Sequence, residues 1–165
     1  ENIMLTGDSA GGNLALELAL YLKENKLPQP GVIMLASPWT TFEHKKGTSR
    51  YFNEKKDQVL GLGTPLYNVV KDVSYAGKVK RRDPKVSPIY ADLKGLPPLL
   101  IQTGANELFL TESMALAQKA VEDGVEVTLS VYAGMPHDFA VVMPELQESI
   151  NSLKEIRDFA DRYMK

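Results

Sequence analysis

The apolar run Ile3-Met4-Leu5-Thr6 leads straight into the glycine turn Gly7-Asp8-Ser9-Ala10-Gly11-Gly12, and an alanine- and leucine-rich run follows at once. That order admits few folds. It predicts a short strand, a tight turn and a helix that packs back on the strand's own sheet. Gly7-Asp8-Ser9-Ala10-Gly11 fits the G-x-S-x-G nucleophile elbow, in which a serine sits on a strained strand-to-helix turn. A side chain at either flanking glycine is expected to collide with the neighbouring strand or helix, and the turn is expected to need angles glycine adopts cheaply. Strain of this kind would hold Ser9 Oγ where a carbonyl can reach it. The five-residue pattern alone arises by chance; the strand before it and the helix after it make it specific.

The rest of the chain repeats the alternation. Strands are expected over residues 3–6, 32–36, 99–102 and 125–132. The first helix, over 11–24, has a near-continuous apolar surface that predicts burial on several sides. Pro28 and Pro30 keep it ended. Thr111 is expected to cap a second helix running to Asp123, with Gly124 as its stop. In the last strand Val125, Val127, Leu129 and Val131 alternate with polar residues, which predicts a sheet edge with one wet face. Leu146, Ile150, Leu153, Ile156, Ala160 and Tyr163 recur at helical spacing and predict a final amphipathic helix. Residues 40–96 lack a clear period and read as an irregular, insertion-like region with one or two short helices, one of them over 65–73. The sum is an α/β chain: a mostly parallel sheet of about four strands with helices on both faces, in a single domain segment over 1–165.

Composition narrows the functional classes. At 165 residues, 44% hydrophobic and 24% charged, the chain can bury a sizeable core. A net charge of −2 gives no global field for nucleic acid. The cluster Lys78, Lys80, Arg81, Arg82 reads as a solvated loop. Cysteine is absent, which removes disulfides and thiolate chemistry. The apolar run over 14–22 is interrupted by Glu17 and is too short to span a bilayer. The chain begins in a strand, without an initiator methionine or a signal peptide, and reads as a piece of a longer protein, expected in the cytoplasm.

Chemistry in such sheets collects at the carboxyl ends of the strands. Ser9, Glu107 and His137 each follow a predicted strand directly. A serine nucleophile needs a base within hydrogen-bond reach. The chain has two histidines. His44 lies in the charged run Glu43-His44-Lys45-Lys46 and reads as solvated; His137, between the last strand and the last helix, is the better base. The base in turn needs a carboxylate to orient it. Glu107 has the right place in chain order, Ser then acid then His. Glu112 and Asp138 are rivals: Glu112 falls in a first helical turn, where it favours the dipole, and Asp138 adjoins the base, which makes a bond to Nδ1 awkward. Trp39 and Tyr75 are either pocket-lining or ordinary packing residues.

These motifs resemble the C-terminal half of an α/β-hydrolase of the hormone-sensitive-lipase-like carboxylesterases. The resemblance rests on Gly7-Asp8-Ser9-Ala10-Gly11-Gly12-Asn13-Leu14-Ala15, on Ser37-Pro38-Trp39, on Asp83-Pro84-Lys85-Val86-Ser87-Pro88 with Leu96-Pro97-Pro98, and on Gly134-Met135-Pro136-His137-Asp138-Phe139. It implies a serine carboxylesterase for small, fairly apolar esters, with Ser9 as nucleophile, His137 as base, Glu107 where most of the family has Asp, and the Ala10 N–H in the oxyanion hole. The family's His-Gly-Gly-Gly loop is missing from this sequence, and an N-terminal half of the same hydrolase is the implied partner. No cofactor or metal is implied. A peptidase or thioesterase of the same fold, and a non-catalytic ligand-binding relative, are the alternatives; the presence of His137 argues against the last.

Overall fold

The structure, a computed structural model, describes residues 3–71 and 74–164. One parallel sheet contains β1 (Met4–Asp8), β2 (Val32–Ala36), β3 (Leu99–Gly104) and β4 (Val127–Tyr132), in that spatial order. Leu5 lies opposite Ile33, Ile33 opposite Leu99, and Leu99 opposite Val127, so the carboxyl ends of all four strands share one end of the sheet. The main helices are α1 (Ser9–Glu24), α3 (Leu110–Glu122) and α5 (Gln147–Tyr163); α2 (Ser49–Phe52) and α4 (Phe139–Val142) are single turns.

Alternation along the strands sorts the core into layers. Ile33, Leu35, Leu99 and Ile101 pack with Ala15, Leu16 and Ala19 of α1 and with Leu116 and Ala120 of α3. Val32, Met34 and Leu100 point the other way, to Ile156 and Phe159 of α5. The expected helices on both faces are present. The first helix is not buried on several sides. Ala15, Leu16, Ala19 and Leu20 form its buried stripe, whereas Leu14, Leu18 and Tyr21 stand exposed. Among the described residues β1 pairs with β2 alone, so its other edge is free.

Several local expectations need correction. β1 continues through Gly7 to Asp8 and α1 begins on Ser9, so the turn between them has no loop residues. Thr111 does not cap α3. That helix starts one residue earlier, with Phe109 in the capping position and no side-chain cap bond. Thr111 Oγ1 instead accepts the Ser49 N–H at 3.2 Å and pairs with Ser49 Oγ at 2.9 Å. Gly124 does stop α3, at φ +78. Among the described residues β4 is an edge strand, as its alternation predicted, but its polar face is only half-exposed. Ser130 Oγ and Tyr132 Oη both reach Glu155 of α5, to which Gln102 Nε2 also donates at 2.7 Å. α5 therefore satisfies that face with a carboxylate instead of burying apolar side chains on it.

Residues 40–96 are more than an insertion. Phe42, Leu60, Val70, Ala76 and Val86 build a third core with Trp39, Leu108 and Phe109 at the carboxyl end of the sheet. The helix expected over 65–73 is only a 3-10 turn, Val69–Lys71; residues 72 and 73 lie outside the described residues. Lys78, Lys80, Arg81 and Arg82 are exposed, as expected of a solvated loop. No described helix is long and apolar enough to cross a membrane.

Candidate active site

Ser9, the first residue of α1, has φ +50. An L residue there costs roughly 1–3 kcal/mol and persists only where its surroundings fix it. Trp39 N–H fixes it by donating to the Ser9 carbonyl at 2.9 Å. Close packing does the rest. A Cβ on Gly7 would stand 2.2 Å from the Gly11 carbonyl oxygen, and one on Gly12 would stand 2.8 Å from Pro38 Cβ. The expectation for Gly11 was wrong: a Cβ there would meet nothing nearer than Asp8 Oδ1 at 3.8 Å. Gly7 and Gly12 are the sterically required glycines, and the serine itself carries the strain.

His137 Nε2 lies 2.9 Å from Ser9 Oγ. The loop that presents His137 is clamped to the end of β3. Ala105 N–H donates to Tyr132 O at 2.9 Å and Asn106 N–H to Met135 O at 3.0 Å. A Cβ on Gly104 would stand 2.2 Å from Met135 O, so this approach needs glycine. The His137 ring meets Phe109 edge to face, 5.1 Å between centroids. Glu107 is fully buried at the start of the β3–α3 connection. Its Oε2 accepts Ser37 Oγ and the Gly104 N–H, each at 2.7 Å. Glu107 Oε1 and His137 Nδ1 are both buried, and neither has a hydrogen-bond partner among the described residues. Ser9 and His137 are thus joined, while Glu107 faces His137 electrostatically without the acid–base hydrogen bond.

The titration of the pair follows from burial and charge. Burial pushes the Glu107 carboxyl up to about 7, against the opposing pull of His137, Ser37 and the Gly104 N–H. Burial alone would lower His137, but Asp138, Glu107 and Asp57 together hold it above the ordinary histidine value.

The rivals separate cleanly. Glu112 lies in the first turn of α3, buried against Arg50 with Nε–Oε1 2.5 Å. Burial pushes its carboxyl up and Arg50 opposes the shift. The Arg50 guanidinium also covers the Phe109 ring at 4.7 Å. This ion pair ties α2 to α3 and does not reach His137. Asp138, in left-handed backbone at φ +50, places Oδ2 3.0 Å from His137 Nε2, the nitrogen that faces Ser9. His44 is half-buried rather than solvated. Burial first, then Arg50, Arg81 and Lys71, lower it to about 4.

Four supporting residues escaped the sequence reading. Ser37, with φ +44, bridges Glu107 and the backbone N–H of Asp138, which donates to its Oγ at 3.1 Å. Asn13 Nδ2 donates to Trp39 O at 2.9 Å and Val86 O at 3.1 Å, holding α1 to both neighbouring segments. Asn53 Nδ2 donates to Ala105 O and Glu107 O, and Asp57 Oδ2 accepts the Leu108 N–H at 2.9 Å. The available signals were two motifs: the elbow motif, which includes Asn13, and Ser37-Pro38-Trp39, whose three residues brace Glu107, Gly12 and Ser9 respectively. Asn53 and Asp57 are isolated polar residues in a segment without a period.

Next to the elbow opens a cavity of about 490 Å³, lined by Ala10, Leu14, Trp39, Phe42, Val69 and Tyr75 among others. Trp39 and Tyr75 both line it; Trp39 also packs on Phe42 and Phe109. Its wall is largely apolar and includes Ala10, the residue after the serine. Among the described residues no three His, Asp or Glu converge as metal ligands would.

Comparison with known proteins finds relatives over nearly the whole chain. Residues 1–141 match a family model described as the alpha/beta hydrolase fold. An esterase of Acinetobacter venetianus is 33% identical over 160 residues, 97% of this chain and 52% of that protein. An acetyl-hydrolase of Streptomyces hygroscopicus is 32% identical over 154 residues, 92% of this chain and 50% of that protein. The crystal structure of an esterase from the bacterial hormone-sensitive lipase family superposes with TM-score 0.89 at 33% identity, covering 99% of this chain and 54% of that one. The chain spans about half the length of these relatives.

Proposed function

The chain belongs to the α/β-hydrolase fold family, among the hormone-sensitive-lipase-like carboxylesterases, and from that premise we propose that it carries the catalytic residues of a serine carboxylesterase for small, fairly apolar esters. The observation that carries this reading is the 2.9 Å contact between His137 Nε2 and Ser9 Oγ on a strained elbow, beside an apolar cavity.

In this reading Ser9 Oγ attacks the ester carbonyl as His137 Nε2 takes its proton. The carbonyl oxygen becomes an oxyanion, stabilised by the Ala10 N–H. The C–O bond to the alcohol breaks, and the alcohol leaves with the proton from Nε2. Water then attacks the acyl-Ser9 carbonyl, gives its proton to Nε2, and the acid departs as that proton returns to Ser9 Oγ. Glu107 keeps the Nδ1 proton facing it, so that Nε2 is the free base. The unpartnered Glu107 Oε1 and His137 Nδ1 are the atoms that would bond as the site tightens around a transition state. Leu14, Trp39, Phe42 and Val69 would hold an apolar portion of the ester.

The remaining half of the hydrolase is the proposed partner. A free β1 edge and the exposed Leu14, Leu18 and Tyr21 offer a sheet edge and a helix face for it. It would also supply the further oxyanion donors, each worth about 10²–10³ in turnover. The reading is tested by hydrolysis of short-chain p-nitrophenyl esters, with matched amide and thioester substrates, by the protein and by Ser9→Ala. Ester turnover that Ser9→Ala abolishes is expected. Turnover that survives Ser9→Ala, or a preference for the amide, would overturn it. Residues 1–165 expressed alone are expected to associate and be nearly inactive, and to gain activity when a matching N-terminal half is added.

A further inference from the structure

Asp138 has no part in the mechanism above, yet its carboxylate touches the reacting nitrogen. Oδ2 lies 3.0 Å from His137 Nε2, with the Asp138 side chain only 13% exposed. Oδ1 is buried without a hydrogen-bond partner among the described residues. The contact is held from both ends. The Asp138 N–H is fixed to Ser37 Oγ, and its carbonyl accepts the Val141 and Val142 N–H groups of α4. The backbone sits at φ +50, where glycine would be cheaper and Asp is tolerated.

We propose that Asp138 retains the proton on His137 Nε2 in the free enzyme and so decides the pH at which the base becomes available to Ser9. The inference rests on the esterase reading of Ser9 and His137. To act as base, His137 must present a lone pair at Nε2 and carry its proton on Nδ1. A carboxylate 3.0 Å from Nε2 repels that lone pair and favours an N–H there. The groups facing the ring from each packed element are few. Ser9 comes from α1, Glu107 from the β3–α3 connection, Phe109 from the start of α3, and Asp57 from the segment after α2. Arg50, the cation on Phe109, is engaged by Glu112. Of the anions, Glu107 rewards a proton on Nδ1, and Asp138 alone touches Nε2. The raised titration of His137, to which Asp138 contributes, has the sign this arrangement demands.

The substitutions Asp138→Asn and Asp138→Gly test this, since both residues accept left-handed backbone. The first readout is the His137 imidazole titration by NMR, assigned against a His137→Gln sample. The second is the acid limb of kcat/KM for a p-nitrophenyl ester. Both variants are expected to titrate lower by about one pH unit or more, the effect of removing a contacting opposite charge. The acid limb should then move down by the same amount, which raises activity roughly tenfold on the acid side relative to each variant's own plateau. A His137 titration that stays put or moves up in both variants would overturn the inference, whatever the activity. If the titration falls as expected but neither variant nor parent hydrolyses esters when a matching N-terminal half is supplied, the esterase reading fails and the role of Asp138 at Nε2 stands.

Discussion

Glu107→Gln should abolish activity and stabilise the fold at the same time, because the carboxylate that the proposed mechanism uses is also one whose charge is costly to bury. Gln keeps the shape and can still accept Ser37 Oγ and the Gly104 N–H, so the β3–α3 connection should hold. The charge is what changes. Burial moves the Glu107 carboxyl from 4.5 to about 7. The folded protein therefore binds a proton that the unfolded chain has released. Stability falls as pH rises from 4.5 toward 7, and the cost is fully present above that range. The shift corresponds to a ceiling of about 3 kcal/mol, part of it returned because His137 loses a carboxylate partner. Gln removes this cost, so its gain should be largest at pH 8 and vanish near pH 4. Catalysis moves the other way. A Gln amide donates to Nδ1 and leaves the proton on Nε2, the wrong tautomer for taking the Ser9 proton; the comparable loss in a related triad is about 10⁴ in kcat. Urea unfolding at pH 4 and pH 8, run beside ester hydrolysis, checks both halves. A variant less stable than the parent at pH 8, or one within tenfold of its kcat, would refute the reasoning.

Two further perturbations follow from packing. Gly7→Ala drives a Cβ into the Gly11 carbonyl and should fail to yield soluble folded protein, read by expression and circular dichroism, whereas Gly11→Ala meets only an ordinary contact with Asp8 Oδ1 at 3.8 Å and should change stability by no more than about 1 kcal/mol, read by thermal unfolding. Arg50→Met leaves Glu112 buried and unpaired and should cost about 3–5 kcal/mol by urea unfolding, most of it recovered in the Arg50→Met/Glu112→Leu double variant; a double variant no better than the single would contradict the assignment of that pair to structure.

In the sheet, β2 and β3 were legible because they are buried on both faces and read as short apolar runs, and β4 because its apolar residues alternate with polar ones. Ser9 and His137 were legible because each sits where a strand ends, and the structure puts them in contact. What stayed hidden was anything fixed by distant partners. Glu112 looks like a dipole residue until Arg50, 62 residues away, is brought against it. Thr111 looks like a cap because nothing local reveals Ser49. Gly11 and Gly12 are adjacent glycines in the sequence, and only Pro38 distinguishes the one that must be glycine. Residues 40–96 lack a period because they follow the rim of the sheet, where Asn53 and Asp57 bond to backbone instead of lining a repeating face. Asp138 was judged against the wrong nitrogen: left-handed backbone turns its carboxylate to Nε2, and no spacing rule encodes that.

The central claim is that Ser9 becomes acylated by the ester it hydrolyses. Rapid acid quench of the protein with a p-nitrophenyl ester, followed by peptide mapping by mass spectrometry, should find the acyl group on the peptide containing Ser9 and a burst of p-nitrophenol matching the active-site concentration. Ester turnover with no acyl adduct on Ser9, or an adduct on another residue that Ser9→Ala leaves intact, would contradict the account.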